Sequence, residues 1–67
     1  MKYDYNNISE SPNLSGVHAD VATSEMSNKN IEFCRWDEET EILAVHWVDA
    51  LDVSDKTILD GIVADNS

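Results

Sequence analysis

Cysteine, proline and glycine are all scarce in this sequence, and their scarcity excludes several ways of stabilising a small fold. Among 67 residues there are one cysteine, one proline and two glycines. Cys34 has no partner for an internal disulfide, and one cysteine with two histidines does not make a structural zinc site. Because a chain of this length buries only about 60% of its unfolded surface, association with another protein is the support that remains.

Basic residues and long apolar runs are lacking as well. The sequence has four basic residues (Lys and Arg) and fourteen acidic ones (Asp and Glu), which gives a net charge of −10. Such a charge repels nucleic acid and anionic membranes, so we expect neither as a direct partner. No stretch approaches the roughly 18 apolar residues of a membrane span, and the first residues contain no apolar signal region. We therefore expect a soluble product of a reducing cytoplasm, with Cys34 as a free thiol.

Residues 1–13 are polar and show no helical or strand period, which indicates an extended polar arm. Tyr3 and Tyr5 share one side of an extended chain, as Lys2 and Asp4 share the other. This arrangement suits an arm that lies along a neighbouring subunit; a disordered tail is the alternative. Residues 14–67 are expected to form a small α+β module.

The stretch LSGVHADVATSEM, residues 14–26, fits either of two structures. Ser15 can cap a helix that turns Val17, Val21 and Met26 inward. The β-branched residues disfavour a helix, and a strand with alternate residues from Val17 to Val21 on one face is the alternative. The sequence leaves this choice open.

The two alternating segments NIEFCRW and EILAVHWV, separated by the acidic DEET, predict a β-hairpin. In the simplest register one face carries Ile31, Phe33, Arg35, Leu43, Val45 and Trp47. The other face then carries Cys34, Trp36, Ile42, Ala44 and His46. A shift by one residue would exchange these sets, and the sequence does not fix the register. We expect Trp47 in the core, and Trp36 and Ile42 at a partner contact.

The stretch VSDKTILDGIVADN predicts an amphipathic helix over residues 54–65. Ser54 is the expected N-cap, and Val53 with Ile58 the expected hydrophobic staple. Gly61 inside the helix suggests that another backbone comes close to it, and Asn66 is expected to end the helix in the left-handed conformation. Together these elements predict a small single α+β domain: an extended N-terminal arm, a short helix or strand, a β-hairpin and a C-terminal amphipathic helix.

Residues that could carry chemistry are present, but their spacing matches no catalytic or metal-binding motif. Cys34, His18 and His46 could form a nucleophile with a base, yet no glycine turn of the oxyanion type accompanies them. The acids of DEETE, and those at positions 49, 52 and 55, lack the spacing of a calcium loop. We therefore expect no enzyme activity, no cofactor and no dedicated metal site. The residues expected to contact a partner are Tyr3, Tyr5, Trp36 and Ile42.

Two stretches resemble a short module found in structural proteins of tailed bacteriophages. VHADVATSEM is similar to its L-H-x-E-I-x-x-S-x-I pattern, and ALDVSDKTILDGIVADN is similar to its A-L-s-x-x-D-x-x-x-L-D-x-I-V-A-x-H ending. The resemblance covers about residues 14–66, with the hairpin between the two stretches, and departs from the pattern where Asn66 stands near the expected histidine. It implies a virion-associated part, such as a capsid decoration, a connector element or a tail or fibre module, without enzyme activity.

The resemblance, together with the lack of catalytic and metal-binding motifs, implies a non-enzymatic structural protein of a phage virion. It would be made in the host cytoplasm and would dock on a larger capsid or tail protein, in many copies, through its arm and hairpin face. Self-association into a homo-oligomer is a further expectation. The alternative function is an acidic inhibitor that mimics DNA and uses Glu32 and the acids of the hairpin tip to bind a basic host protein.

Overall fold

Three strands and two helices make up the computed structural model, which describes residues 1–67. In chain order they are β1 (Lys2–Tyr5), α1 (Leu14–Thr23), β2 (Ile31–Asp37), β3 (Ile42–Trp47) and α2 (Val53–Asn66). The strands form one antiparallel sheet in the order β1-β3-β2, so the last strand lies in the centre. The predicted α+β class and single small domain are confirmed. Neither helix has the length and apolar character needed to cross a membrane.

The first residues form part of the sheet, which corrects the expectation of an arm outside the module. Lys2 lies opposite His46 and Tyr5 lies opposite Leu43, so β1 is an edge strand along β3. The alternation of charged residues and tyrosines over residues 2–5 follows from this position in the sheet. Tyr3 and Tyr5 pack against the core of their own chain, while the charged Lys2 and Asp4, which alternate with them, face away.

The hairpin forms as predicted, but an extra residue in β2 changes which side chains share a face. Ile31 lies opposite Trp47 and Phe33 lies opposite His46, so two residues of β2 span one residue of β3. Such a β-bulge reverses the facing of every later residue of the strand. Cys34 and Trp36 therefore lie on the core side, and the predicted grouping of Phe33 and Arg35 with the core residues is wrong.

Residues 14–23 are helical, which settles the choice between helix and strand. The cap is the side chain of Asn13, which accepts a hydrogen bond from the Gly16 backbone N–H at 3.0 Å, and not the expected Ser15. Val17 and Val21 are buried as predicted. Their helical spacing of four residues places both on the side that faces the core.

Helix α2 covers the predicted range with one more residue at each end. Asp52 caps it by accepting a hydrogen bond from the Asp55 N–H at 2.8 Å, so the expected Ser54 cap is wrong. Val53 is 85% exposed and makes no hydrophobic staple. Asn66 is still helical and not left-handed as expected, and its side chain donates to the carbonyl of Ile62 at 2.8 Å.

The core lies between the helices and one face of the sheet. Its nine buried residues come from both helices, from β3 and from the loop after α1: Val17, Val21, Met26, Leu43, Val45, Trp47, Leu59, Ile62 and Val63. Trp47 is fully buried, as expected. The helices thus cover only the inner face of the sheet, so its outer face has no covering element.

Close approach of two helices occurs at Gly16 and not at Gly61, where the sequence suggested it. A Cβ at Gly61 would meet nothing within 4 Å. A Cβ at Gly16 would overlap the side chains of Asn13 and Asn66, because the start of α1 packs on the end of α2. There the Asn13 N–H donates to the Asn66 carbonyl at 2.7 Å, and the Asn66 amide donates to Asp20 at 2.8 Å.

Candidate functional site

The outer face of the sheet is a surface that the fold leaves without a covering element. Residues of the three strands alternate between the two faces, and Leu43, Val45 and Trp47 mark the buried one. We define the open face by the residues that point the other way: Lys2, Asp4, Phe33, Arg35, Asp37, Ile42, Ala44 and His46. All of these except Phe33 line one shallow depression of about 280 Å³.

Strand pairing arranges the open face in rows that run across the sheet. In the first row Lys2 and Phe33 lie on either side of His46. In the second row Asp4 and Arg35 lie on either side of Ala44. The smallest side chain therefore lies at the centre of the face, with a carboxylate on one side of it and a guanidinium on the other.

The first row contains an aromatic pair at the surface. The rings of Phe33 and His46 are stacked, with centroids 4.1 Å apart and planes inclined by 16°. Phe33 is 46% exposed, although it is a large apolar residue in a strand. Aromatic side chains dominate the energetics of protein interfaces, so this pair can supply apolar contact area to a partner.

The charges of the open face balance one another, unlike those of the chain. Its two basic residues, Lys2 and Arg35, offset its two carboxylates, Asp4 and Asp37, so the face is neutral while the chain carries −10. Lys2 and Asp4 form an exposed ion pair at 3.7 Å. Arg35 is the one basic side chain without an ion pair, since the other two lysines are paired with carboxylates on α2.

The residues predicted to contact a partner are divided between the two faces. Ile42 lies on the open face. The Trp36 ring lies on the core side, where its Nε1–H donates to the Ile8 carbonyl at 2.9 Å. Tyr3 and Tyr5 also pack on the core, and the Tyr3 hydroxyl accepts a hydrogen bond from the Leu51 N–H at 2.8 Å. The structure therefore does not bring these four residues together.

Tyr5 belongs to a polar cluster that fastens β1 to α2. Its hydroxyl donates to Asp60 Oδ1 at 2.7 Å, and Lys56 also pairs with this carboxylate. The Lys56 ammonium lies 4.8 Å from the centroid of the Tyr5 ring. Hydrogen bonds from Lys56 and then Tyr5 lower the pKa of Asp60. Burial, followed by the hydrogen bond to Asp60, raises the pKa of Tyr5 above its usual value. The cluster holds the edge strand in place.

The residues considered for chemistry lie apart from one another. Cys34 is a free, half-buried thiol on the core side, and burial raises its pKa, which lowers the fraction present as the reactive thiolate. His46 lies on the opposite face of the sheet, and His18 lies on α1. Two of the acids before and within α2 have structural contacts: Asp52 caps the helix, and Asp55 pairs with Lys29 at 3.5 Å. No group of three or more His, Cys, Asp and Glu side chains is placed to hold a metal ion.

Sequence reasoning missed Phe33, Arg35 and His46 as neighbours on one surface. It grouped the first two with the core because it assumed regular alternation through β2. The alternate positions of Leu43, Val45 and Trp47 did separate the two faces of β3, but nothing in the sequence marked the bulge near Glu32.

No family model matches the chain, and neither a curated protein nor a solved structure matches it.

Proposed function

We propose that this chain is a non-enzymatic interaction module of a bacteriophage virion, which docks on a larger capsid or tail protein through the open face of its sheet. The resemblance of residues 14–66 to a phage structural module supports a place in the virion. The geometry of the sheet supports the mode of binding. The surface differs from the one expected from the sequence, because the two tyrosines and Trp36 face inward.

The neutrality of the open face is the observation that carries this proposal. The chain has a net charge of −10, and the face contributes none of it. Charged residues are depleted at the centres of interfaces, because removing an unpaired charge from water is costly. Here the centre is Ala44, and the charges around it are of both signs. A partner can therefore cover this face without burying the net charge.

Apolar area on the open face gives docking its driving force. Phe33 is 46% exposed, and Ile42 and Ala44 are half-buried, so each can lose further contact with water. Burial of the exposed part of a Phe side chain contributes on the order of 1 kcal/mol. Because binding to the folded state alone stabilises it by mass action, docking would also stabilise this small domain.

The substitution Ala44→Arg tests the proposal on assembled particles. A long charged side chain at the centre of the open face should block close packing, yet it can extend into solvent in the free protein. Ala64→Arg places the same residue on the exposed side of α2 and is the matched control. We expect mass spectrometry of purified particles to find the wild type and the control in constant stoichiometry, and the Ala44 variant strongly reduced. Absence of the wild type from particles, or equal incorporation of all three, would refute the proposal.

An acidic inhibitor of a basic host protein is the competing function, and the clustering of acids at the hairpin turn favours it. Four acids lie at or next to the hairpin turn, at positions 37, 38, 39 and 41. An interface made by these acids would weaken steeply as salt rises, because exposed charges are screened. Packing through the open face would change little with salt, so the salt dependence of partner binding separates the two functions.

A further inference from the structure

We propose that two copies of the chain pair through their open faces as a weak symmetric dimer, in which Asp4 of each copy meets Arg35 of the other. The inference rests on the proposed function, because it uses the same docking face. It adds that a second copy of the chain covers this face until the larger partner binds. It depends on the order of side chains across the sheet and on their charges.

The second row of the open face supplies the charge complementarity. Asp4 and Arg35 both lie opposite Ala44, on the two edge strands. Since adjacent strands are about 4.8 Å apart, the two backbones are separated by roughly 10 Å. Arg35 has no ion pair within its own chain. Each copy thus presents a carboxylate and an unpaired guanidinium at equal distances from a small central residue.

Two-fold symmetry turns this row into two ion pairs. A two-fold axis that runs parallel to β3, outside the sheet and above Ala44, places β1 of one copy over β2 of the other. Each row of one copy then faces the same row of the other copy. Asp4 of one copy then lies over Arg35 of the other, and Lys2 lies over Phe33, where a cation can bind the ring face. An axis across the strands through Ala44 would instead place Asp4 on Asp4 and Arg35 on Arg35. The charges therefore select the first arrangement.

Packing of two such faces agrees with the geometry of known sheet pairs. Sheets that pack face to face lie about 10 Å apart, with their strands within about 30° of each other. Ala44 meets its own copy on the axis, and its small side chain lets the sheets approach closely. The rows on either side of Ala44 along the strands then contribute apolar area: one through the stacked rings of His46 and Phe33, the other through the side chain of Ile42.

The size of the face determines the strength of the dimer. Three strands about 14 Å wide and six residues about 20 Å long give roughly 300 Å² per copy, compared with about 800 Å² per partner in a standard interface. The dimer should therefore dissociate on dilution and yield to a larger partner. The net charge of each copy lies outside the face, and its repulsion is screened beyond about 8 Å at physiological salt.

Charge exchange between the two positions tests this arrangement. Asp4→Lys and Arg35→Glu each convert both intermolecular ion pairs into like-charge pairs. Sedimentation velocity over a concentration series should show wild-type mass rising from 7.5 kDa toward twice that value. In either variant the dissociation constant should rise by about tenfold or more. An equimolar mixture of the two variants should recover the dimer, because each introduced charge then meets its opposite.

Controls keep folding and net charge out of the comparison. Asp4 and Arg35 are exposed, so both variants should retain the circular dichroism spectrum of the wild type. Glu10→Lys makes the same charge change as Asp4→Lys on an exposed loop residue outside the open face, and it should dimerise like the wild type.

Three results would overturn the inference. They are a wild type that stays monomeric up to millimolar concentration, single variants that dimerise as well as the wild type, and a mixture of the variants that fails to recover. None of these bears on docking to the larger protein, which the Ala44→Arg variant tests in particles. Failure of the dimer and failure of the proposed function are therefore distinguishable.

Discussion

Replacement of each glycine by alanine should change the stability of the protein in opposite directions. Both glycines are helical, and alanine is favoured over glycine in a helix interior by about 1 kcal/mol. Gly61 is exposed, and a Cβ there would meet nothing within 4 Å. We expect Gly61→Ala to gain most of this energy and to raise the melting temperature by about 5 °C.

Gly16→Ala should lose more than it gains. Its Cβ would displace the Asn13 side chain that caps α1 and the Asn66 amide that donates to Asp20 and to the Ile62 carbonyl. Loss of an N-cap costs about 1 kcal/mol, and loss of the hydrogen bonds of Asn66 costs about another 1 kcal/mol. After subtraction of the helix gain, we expect net destabilisation of about 1 kcal/mol and a melting temperature lower by about 5 °C.

Thermal unfolding followed by circular dichroism, with urea unfolding as a second measurement, checks both values. The variant Asn66→Ala provides a control, because Gly16→Ala should cost less in that background if the overlap with Asn66 causes the loss. A Gly16→Ala protein as stable as Gly61→Ala would refute the close packing of the start of α1 on the end of α2.

Three further predictions concern the edges of the domain. Trp36→Phe removes the hydrogen bond to the Ile8 carbonyl and should cost about 1 kcal/mol in urea unfolding. Glu41 has a φ of 57°, a left-handed conformation, so Glu41→Gly should stabilise the hairpin by about 0.5–1 kcal/mol, whereas Glu41→Gln should not. The pKa of Asp60 is lowered by its partners, so its pairing stabilises the fold above the unfolded pKa near 3.9, and this contribution is lost as the pH falls through the folded value. Tyr5→Phe should therefore show a smaller acid loss than the wild type in pH-dependent unfolding, by less than about 0.5 kcal/mol because Asp60 is half-exposed.

Sequence pattern alone was sufficient for the elements with strong local signals. The spacing of Leu59, Ile62 and Val63 predicted α2 to within one residue at each end, because amphipathic periodicity is a local property of the chain. The alternate positions of Leu43, Val45 and Trp47 likewise predicted β3 and a buried Trp47. The single cysteine excluded an internal disulfide. The scarcity of basic residues led us to expect no direct binding to nucleic acid.

The tertiary structure decided where these elements lie and what they expose. Pairing of β1 with β3 depends on contacts about 40 residues apart in sequence, so residues that were expected to form an independent arm form an edge strand. The bulge in β2 moved Phe33 and Arg35 to the outside, because one added residue reverses the facing of a strand. The open face is the joint result of strand order and bulge, and neither is encoded in a short stretch of sequence. Long-range pairing therefore determined the candidate site, while local periodicity determined the helices and strands that carry it.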